Sequence, residues 1–264
     1  MALELYVKQA GEGLPVLLLH GLFGAGGNLG ALSRSLQDAY TVYSIDLPNH
    51  GRSAWLAAPD LPAMAASLQH WMGEQGIPNA HLIGHSLGGK VAMQLALQSP
   101  ASVISVVVAD ISPVTYAGHH DAVFAALEVV AAARCATRAA AAELLAQHLE
   151  EEGVIQFLLM SLRRDDAGCF DWRFDLQGLK AAYPALLASP TAAAAYEGPV
   201  LFIKGGDSDY IQQQHWPDTL AMFPAASLKI VPGCGHWLHV EKPQLFNGIV
   251  GRFLADHPGQ GESA

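Results

Sequence analysis

Cysteine is scarce in this chain, and what there is falls in no useful pattern. The three cysteines, Cys135, Cys169 and Cys234, are widely spaced and form no C-x-x-C pair, which excludes a disulfide framework and a zinc ribbon. Charge is also thin, at 14% of residues, with 14 Lys and Arg against 24 Asp and Glu. A net charge of −10 excludes a phosphate-backbone binder, which needs cations to replace counterions; its plain meaning is solubility. Long apolar runs are missing too: the first one, residues 16–19, is too short to span a bilayer. The N-terminus has no basic stretch followed by an apolar run and a small-residue cleavage site. Together with unpaired thiols, this gives the expectation of a cytoplasmic chain with no membrane span and no nucleic-acid partner, acting as a monomer or small homo-oligomer.

What the chain does have is apolar content, 51% of 264 residues, enough for a full core. Short apolar runs read as buried strands at residues 16–19, 41–45, 81–84, 103–109, 200–203 and 227–231. Continuous apolar strands are covered on both faces, so the sheet is expected to be mostly parallel. Residues 31–37, 64–75 and 90–98 read as intervening helices, giving a doubly wound α/β fold. Between about residues 113 and 198 the rhythm changes. Helical stretches at 122–133, 136–151 and 154–162 dominate, followed by an aromatic segment at 170–183. The expectation is a core of residues 1–112 and 199–264, with 113–198 inserted as a helical cap.

The chemistry starts at Gly84-His85-Ser86-Leu87-Gly88. G-x-S-x-G between an apolar strand and a helical pattern is a nucleophile elbow. A serine on so sharp a turn needs glycines beside it, and the helix after it turns its positive N-terminus toward the reacting centre. A hydroxyl needs a base to become a nucleophile. His236, in Pro232-Gly-Cys-Gly-His-Trp237, follows the last strand and comes after the serine in chain order, as this arrangement requires. His239 is the rival and reads as a supporting residue; His70, His81, His148 and His257 read as surface or packing residues. No histidine pair falls in a metal-ligand pattern, so no metal is expected. The serine carries the covalent step itself, and no cofactor is expected.

Two backbone N–H groups should stabilise the oxyanion. Leu87, after the nucleophile, is one. The other is expected from His20-Gly21-Leu22-Phe23-Gly24, with Leu22 favoured and Phe23 the alternative. The acid has two possible places. After the 200–203 strand the chain reads Lys204-Gly-Gly-Asp-Ser-Asp-Tyr210, where Ser208 occupies the usual acid position and Asp207 and Asp209 flank it. At the end of the preceding strand stands Asp110. The reading favours Asp110 as the group that orients and stabilises the imidazolium, with Ser208 auxiliary, and leaves Asp207 and Asp209 as alternatives. Phe23, Phe124, Phe157 and Trp172 are candidate pocket walls. Cys234 lies two residues from His236, which makes a bulky thiol reagent an expected inhibitor.

Several segments resemble one family: Asp46-Leu-Pro-Asn-His-Gly-Arg-Ser53, Gly84-His-Ser-Leu-Gly-Gly-Lys90, Asp110-Ile-Ser-Pro-Val114, Glu152-Gly-Val-Ile-Gln-Phe-Leu158 and Gly235-His-Trp-Leu-His-Val-Glu-Lys-Pro243. They are similar to the YbfF-type bacterial esterases of the α/β-hydrolase fold, and to a mitochondrial α/β-hydrolase group in animals. The resemblance covers residues 14–254, the cap included. It implies a capped serine carboxylesterase acting on short acyl esters, with acyl-CoA thioesters an alternative; it also supports Asp110 as acid and Ser208 as its neighbour. The sequence departs from the pattern at Pro48, where relatives carry Arg, and at Asp207, where they carry Asn. The elbow serine disfavours dehalogenase and epoxide-hydrolase chemistry, which attack with Asp. Carbon–carbon bond hydrolysis and cofactor-free perhydrolysis keep the same Ser–His pair and stay open.

Overall fold

The computed structural model describes residues 3–191 and 193–259. Among the described residues, nine strands form two sheets. The larger sheet contains β1 (Val7–Ala10), β2 (Leu14–Leu19), β3 (Tyr40–Ile45), β4 (Ala80–His85), β5 (Val103–Ala109), β8 (Val200–Gly205) and β9 (Ala226–Val231), in the order β1-β3-β2-β4-β5-β8-β9. Every pairing is parallel except β1 with β3. The edge strand β1 was not foreseen. Its residues Val7, Lys8, Gln9 and Ala10 are exposed or half-buried, so it lacks the apolar signature of a covered strand.

The central strands read as continuous apolar runs because both faces are covered. All six residues of β4 are buried, as are the last five of β5. Helices α1 (Gly30–Leu36), α2 (Leu61–Glu74), α3 (Leu87–Gln98), α8 (Trp216–Met222), α9 (Leu238–Glu241) and α10 (Pro243–Ala255) complete this layer. Two separate apolar clusters flank the sheet, one around Leu17, Leu82 and Val106, the other around Val16, Ile83 and Val107. Adjacent residues of one strand thus feed opposite cores, as the two-residue period requires. Helix α2 starts where the Asp60 side chain accepts from Ala63 N–H at 2.7 Å, an N-cap worth roughly 1 kcal/mol.

Between β5 and β8 lie α4 (Asp121–Ala133), α5 (Arg138–Ala146), α6 (Glu152–Met160) and α7 (Leu176–Leu187), with a hairpin of β6 (Leu162–Arg164) and β7 (Phe170–Trp172). No strand was expected in this segment. Each strand has only three residues, and β6 buries Leu162 alone, too little for a periodic signal. Helix α5 starts later than expected because Thr137 caps it, accepting from Ala140 N–H at 3.1 Å. Among the described residues, no helix is long and apolar enough to cross a membrane.

Candidate active site

Strand register brings the chemistry together. Leu19 pairs with Gly84, His85 with Ala109, Ala109 with Ile203, and Gly205 with Val231. The strands therefore leave the sheet side by side at their C-terminal ends, where ligands bind in open parallel sheets. The loops that follow carry Gly21–Phe23, Ser86, Asp110, Ser208 and His236.

Ser86 sits at φ 53°, ψ −118°, a conformation a non-glycine residue adopts only under restraint. Its N–H donates to the Ala109 carbonyl at 3.0 Å, and its carbonyl accepts from Lys90 N–H at 3.1 Å. The turn is so tight that a Cβ on Gly84 would lie 2.2 Å from the Gly88 oxygen, and one on Gly88 2.2 Å from the Leu19 oxygen. Leu87 opens α3, so its N–H has no acceptor within the helix and stands beside Ser86 at the positive helix end.

Asp110 also has a positive φ of 53° and is fully buried. Its Oδ1 accepts from Gly205 N–H at 2.9 Å; its Oδ2 accepts from Ser208 Oγ–H and from His236 Nδ1–H, the latter at 2.8 Å. Donation from Nδ1 fixes the imidazole tautomer and leaves Nε2 free to take a proton. Asp207 and Asp209 are exposed, and among the described residues neither carboxylate bonds to His236.

The imidazole of His236 also packs against two further rings. Tyr210 stacks on it at 4.1 Å between ring centres, with 26° between planes. The His85 ring lies 4.6 Å away and donates from Nε2 to the His236 carbonyl at 2.9 Å. His239, the sequence rival, packs behind His85 at 4.3 Å. Burial lowers its pKa to about 4, and that of His85 well below the ordinary range, so both rings are neutral at pH 7. Glu241 accepts from Gly235 N–H at 3.0 Å and steadies the loop before His236. Tyr210, His85 and Glu241 were missed as functional residues. His85 occupies the free position inside the elbow motif, and the other two reach the site only through folding.

The loop after β2 closes a turn in which Gly24 N–H donates to the Gly21 carbonyl at 3.0 Å. Phe23 has φ 64°, and its carbonyl accepts from Ser161 Oγ–H at 2.6 Å, tying the turn to the inserted segment. His20 donates from Nδ1 to the Gly21 carbonyl at 2.8 Å and accepts from Leu47 N–H at 2.9 Å. Burial lowers its pKa to about 4. The Asn-His-Gly stretch is a second tie. Asn49 Nδ2 donates to Asp175 Oδ2 at 2.9 Å, and the Asn49 carbonyl accepts from Asp175 N–H at 2.9 Å. Asp175 in turn caps α7. At the Pro48 departure, the carbonyl accepts from His50 Nδ1–H at 2.9 Å.

A cavity of about 730 Å³ opens over Ser86 and His236. Leu22, Phe23 and Phe157 line it; Val123, Val154 and Leu158 extend the apolar wall. Phe124 and Trp172, also named as walls, lie elsewhere. Trp172 stacks on Phe174 and donates to the Leu127 carbonyl at 2.9 Å, while Phe124 packs between Phe23 and Tyr183. Both belong to the packing of the inserted segment: Trp172 is on the buried side of β7, and Phe124 is on the face of α4 that also buries Leu127. The thiol expectation changes as well. Cys234 is buried, donates to the Val231 carbonyl at 3.1 Å, and burial pushes its thiol pKa up. Such a thiol is poorly reactive, and a bulky reagent does not reach it.

The sequence profile described as "Alpha/beta hydrolase family" matches residues 16–249. Esterase YbfF of Escherichia coli (strain K12) is 40% identical over 243 residues, covering 92% of this chain and 93% of its own. The sn-1-specific diacylglycerol lipase ABHD11 of Mus musculus is 37% identical over 248 residues, covering 91% of this chain and 80% of its own. Among solved structures, one described as "Marine microorganism esterase" superposes with a TM-score of 0.93 at 33% identity, covering 96% of this chain and 100% of its own.

Proposed function

The chain belongs to the alpha/beta hydrolase family and is a carboxylic ester hydrolase; from that premise we propose that it cleaves short-chain acyl esters through Ser86, His236 and Asp110. The observation that carries this reading is the His236 Nδ1–H bond to the buried Asp110 carboxylate, beside a serine held at an elbow. Nε2 of His236 takes the proton as Ser86 Oγ attacks the ester carbonyl. The N–H groups of Leu22 and Leu87 receive the oxyanion. The imidazolium then protonates the leaving alcohol, and the acyl group stays on Ser86. Water, activated by the same imidazole, releases the acid and restores the serine. Asp110 keeps its charge throughout, and Ser208 holds the carboxylate in place.

Residues 113–198 act as a cap in this reading, and residues 1–112 and 199–264 as the core. The acyl group lies against Leu22, Phe23 and Phe157. About 730 Å³ is the size of an ordinary small-molecule pocket and must hold both halves of the ester, which favours a short acyl part. Charge favours an oxygen ester over a coenzyme A thioester. The cavity lining includes the carboxylates of Glu151, Asp207, Asp209 and Glu241 and no Lys or Arg, a field that opposes a polyphosphate leaving group.

The test is hydrolysis of p-nitrophenyl esters from acetate to dodecanoate beside acetyl-CoA and longer acyl-CoA, with fluorophosphonate labelling. The expected result is fastest turnover of the shortest esters, weak CoA release, and labelling and activity both abolished in Ser86→Ala. Faster CoA release than ester cleavage, or full labelling of Ser86→Ala, overturns the reading.

A further inference from the structure

Lys90 is a charged residue that the ester-cleaving steps do not use, and it is almost wholly buried. It lies four residues after Ser86 on α3, one turn along. Its Nζ donates to the carbonyls of Val114 at 2.8 Å, Leu187 at 2.7 Å and Ala188 at 2.6 Å. An ammonium has three N–H groups, and all three are used. The acceptors come from two places far apart in sequence. Val114 lies where the chain leaves the core, shortly after Asp110; Leu187 and Ala188 lie where it turns back toward β8.

The same helix face grips the return segment again. Gln94, one turn beyond Lys90, donates from Nε2 to the Thr191 carbonyl and accepts from Thr191 N–H, both at 2.9 Å. The two segments are also joined to each other. Tyr116 N–H donates to the Leu187 carbonyl at 3.1 Å, Ser189 N–H to Thr115 Oγ1 at 3.0 Å, and Ser189 Oγ–H to the Pro113 carbonyl at 2.7 Å. From there the contacts run to the reacting centre. Nζ of Lys90 stands 4.9 Å from the Tyr116 ring centre, and Tyr116 Oη–H donates at 2.5 Å to the carbonyl of Tyr210, the residue stacked on His236.

We propose that Lys90 is a positioning residue that clamps both hinges of the cap to the helix carrying Ser86, and so sets how the cap sits over the cavity. This rests on the reading of residues 113–198 as a cap over an esterase site. An apolar side chain would fill the same interior at less desolvation cost; burial alone pulls the Lys90 pKa down to about 7. What only a three-donor group supplies is a directed bond to two separate segments at once. In this reading a short acyl group meets Leu22, Phe23 and Phe157, whereas a longer one also reaches Val154 and Leu158 of the cap. The clamp therefore acts on the binding of longer esters more than on the chemistry of short ones.

The test compares the parent chain with Lys90→Met by amide hydrogen exchange and by steady-state kinetics on p-nitrophenyl acetate and hexanoate. The expected result is exchange at Tyr116, Ser189 and Thr191 faster by tenfold or more, with the amides of β4 and β5 unchanged. KM for hexanoate rises fivefold or more, while kcat for acetate stays within about twofold. Hinge exchange and both kinetic constants unchanged within twofold overturn the proposal. So does a loss of kcat on acetate with no change at the hinges. If Lys90→Met loses core protection, Ser189→Ala decides by the same readouts: faster hinge exchange with a raised hexanoate KM supports the clamp, and parent-like values overturn it. A parent that cleaves no ester sinks the esterase reading alone, because the exchange comparison still decides whether Lys90 holds the hinges.

Discussion

At the C-terminal edge of the sheet, Ser86, Asp110 and the loops after β2, β8 and β9 are placed by backbone register between neighbouring strands. Across the cavity, Val123, Val154, Phe157 and Leu158 are placed by a layer tied down through a few side chains: Lys90, Gln94, Asn49 and Ser161. A ladder of backbone bonds is hard to perturb by one substitution. A layer held at a few points is not. In the proposed reading, backbone register holds the reacting atoms on the core side, and the ties of the inserted segment set the space above them.

The sharpest way to press the comparison is within the core. Asp110→Asn keeps the shape but reverses a donor and an acceptor beside His236, and the expected loss in kcat is on the order of 10⁴-fold. Asp207→Asn, one strand end away and exposed, is expected to stay within about twofold. Ester hydrolysis of the two variants side by side checks this; equal losses would move the acid to the later loop. At a tie between the core and the inserted segment, Asn49→Ala removes the bonds to Leu56 and Asp175 and leaves an alanine at φ 64°. We expect a stability loss of about 2–4 kcal/mol by denaturant unfolding, and a KM that rises by more than kcat falls. A kcat loss as deep as that of Asp110→Asn would erase the distinction between the two regions.

The mildest perturbation crosses both regions. His20, His81 and His239 have pKa values lowered to about 4 and His50 to about 3 on the core side, and His120 to about 4 at the start of the inserted segment. Burial is the main cause in each. Depressed folded values mean that the unfolded chain binds more protons between about pH 4 and pH 6.5. The stability they contribute is whole above pH 6.5 and falls away as pH drops toward 4. Thermal unfolding across that window is expected to show a steep fall in Tm and uptake of several protons; a flat Tm from pH 7 to 4 would show that these rings are charged in the folded state.

The division between the two regions also explains what could be read beforehand. Ser86, His236, Asp110 and Ser208 follow strand ends, so an apolar run, a turn and a reactive residue stand together in the chain. Even the choice between two acid positions came down to counting residues past a strand. The β6–β7 hairpin, the inward turn of Phe124 and Trp172, and the Tyr210 stack depend on partners tens of residues away, and no local pattern records them. Lys90 stood inside a quoted motif, yet its partners lie at Val114 and Leu187, where nothing in the sequence points back to it. The exposed strand β1 escaped for a simpler reason: without burial there is no apolar signal.

Ser86 and Asp110 share the same unusual backbone turn, φ 53° in each, at the ends of adjacent strands. A left-handed non-glycine residue costs on the order of 1–3 kcal/mol, and glycine would relieve it. In the proposed mechanism glycine at Ser86 would relieve the strain and remove the nucleophile, whereas glycine at Asp110 would also leave Gly205 N–H, Ser208 Oγ–H and His236 Nδ1–H without their acceptor. Any programme that hardens this scaffold has to screen for turnover at every round, because a gain at Ser86 lies where its chemistry does.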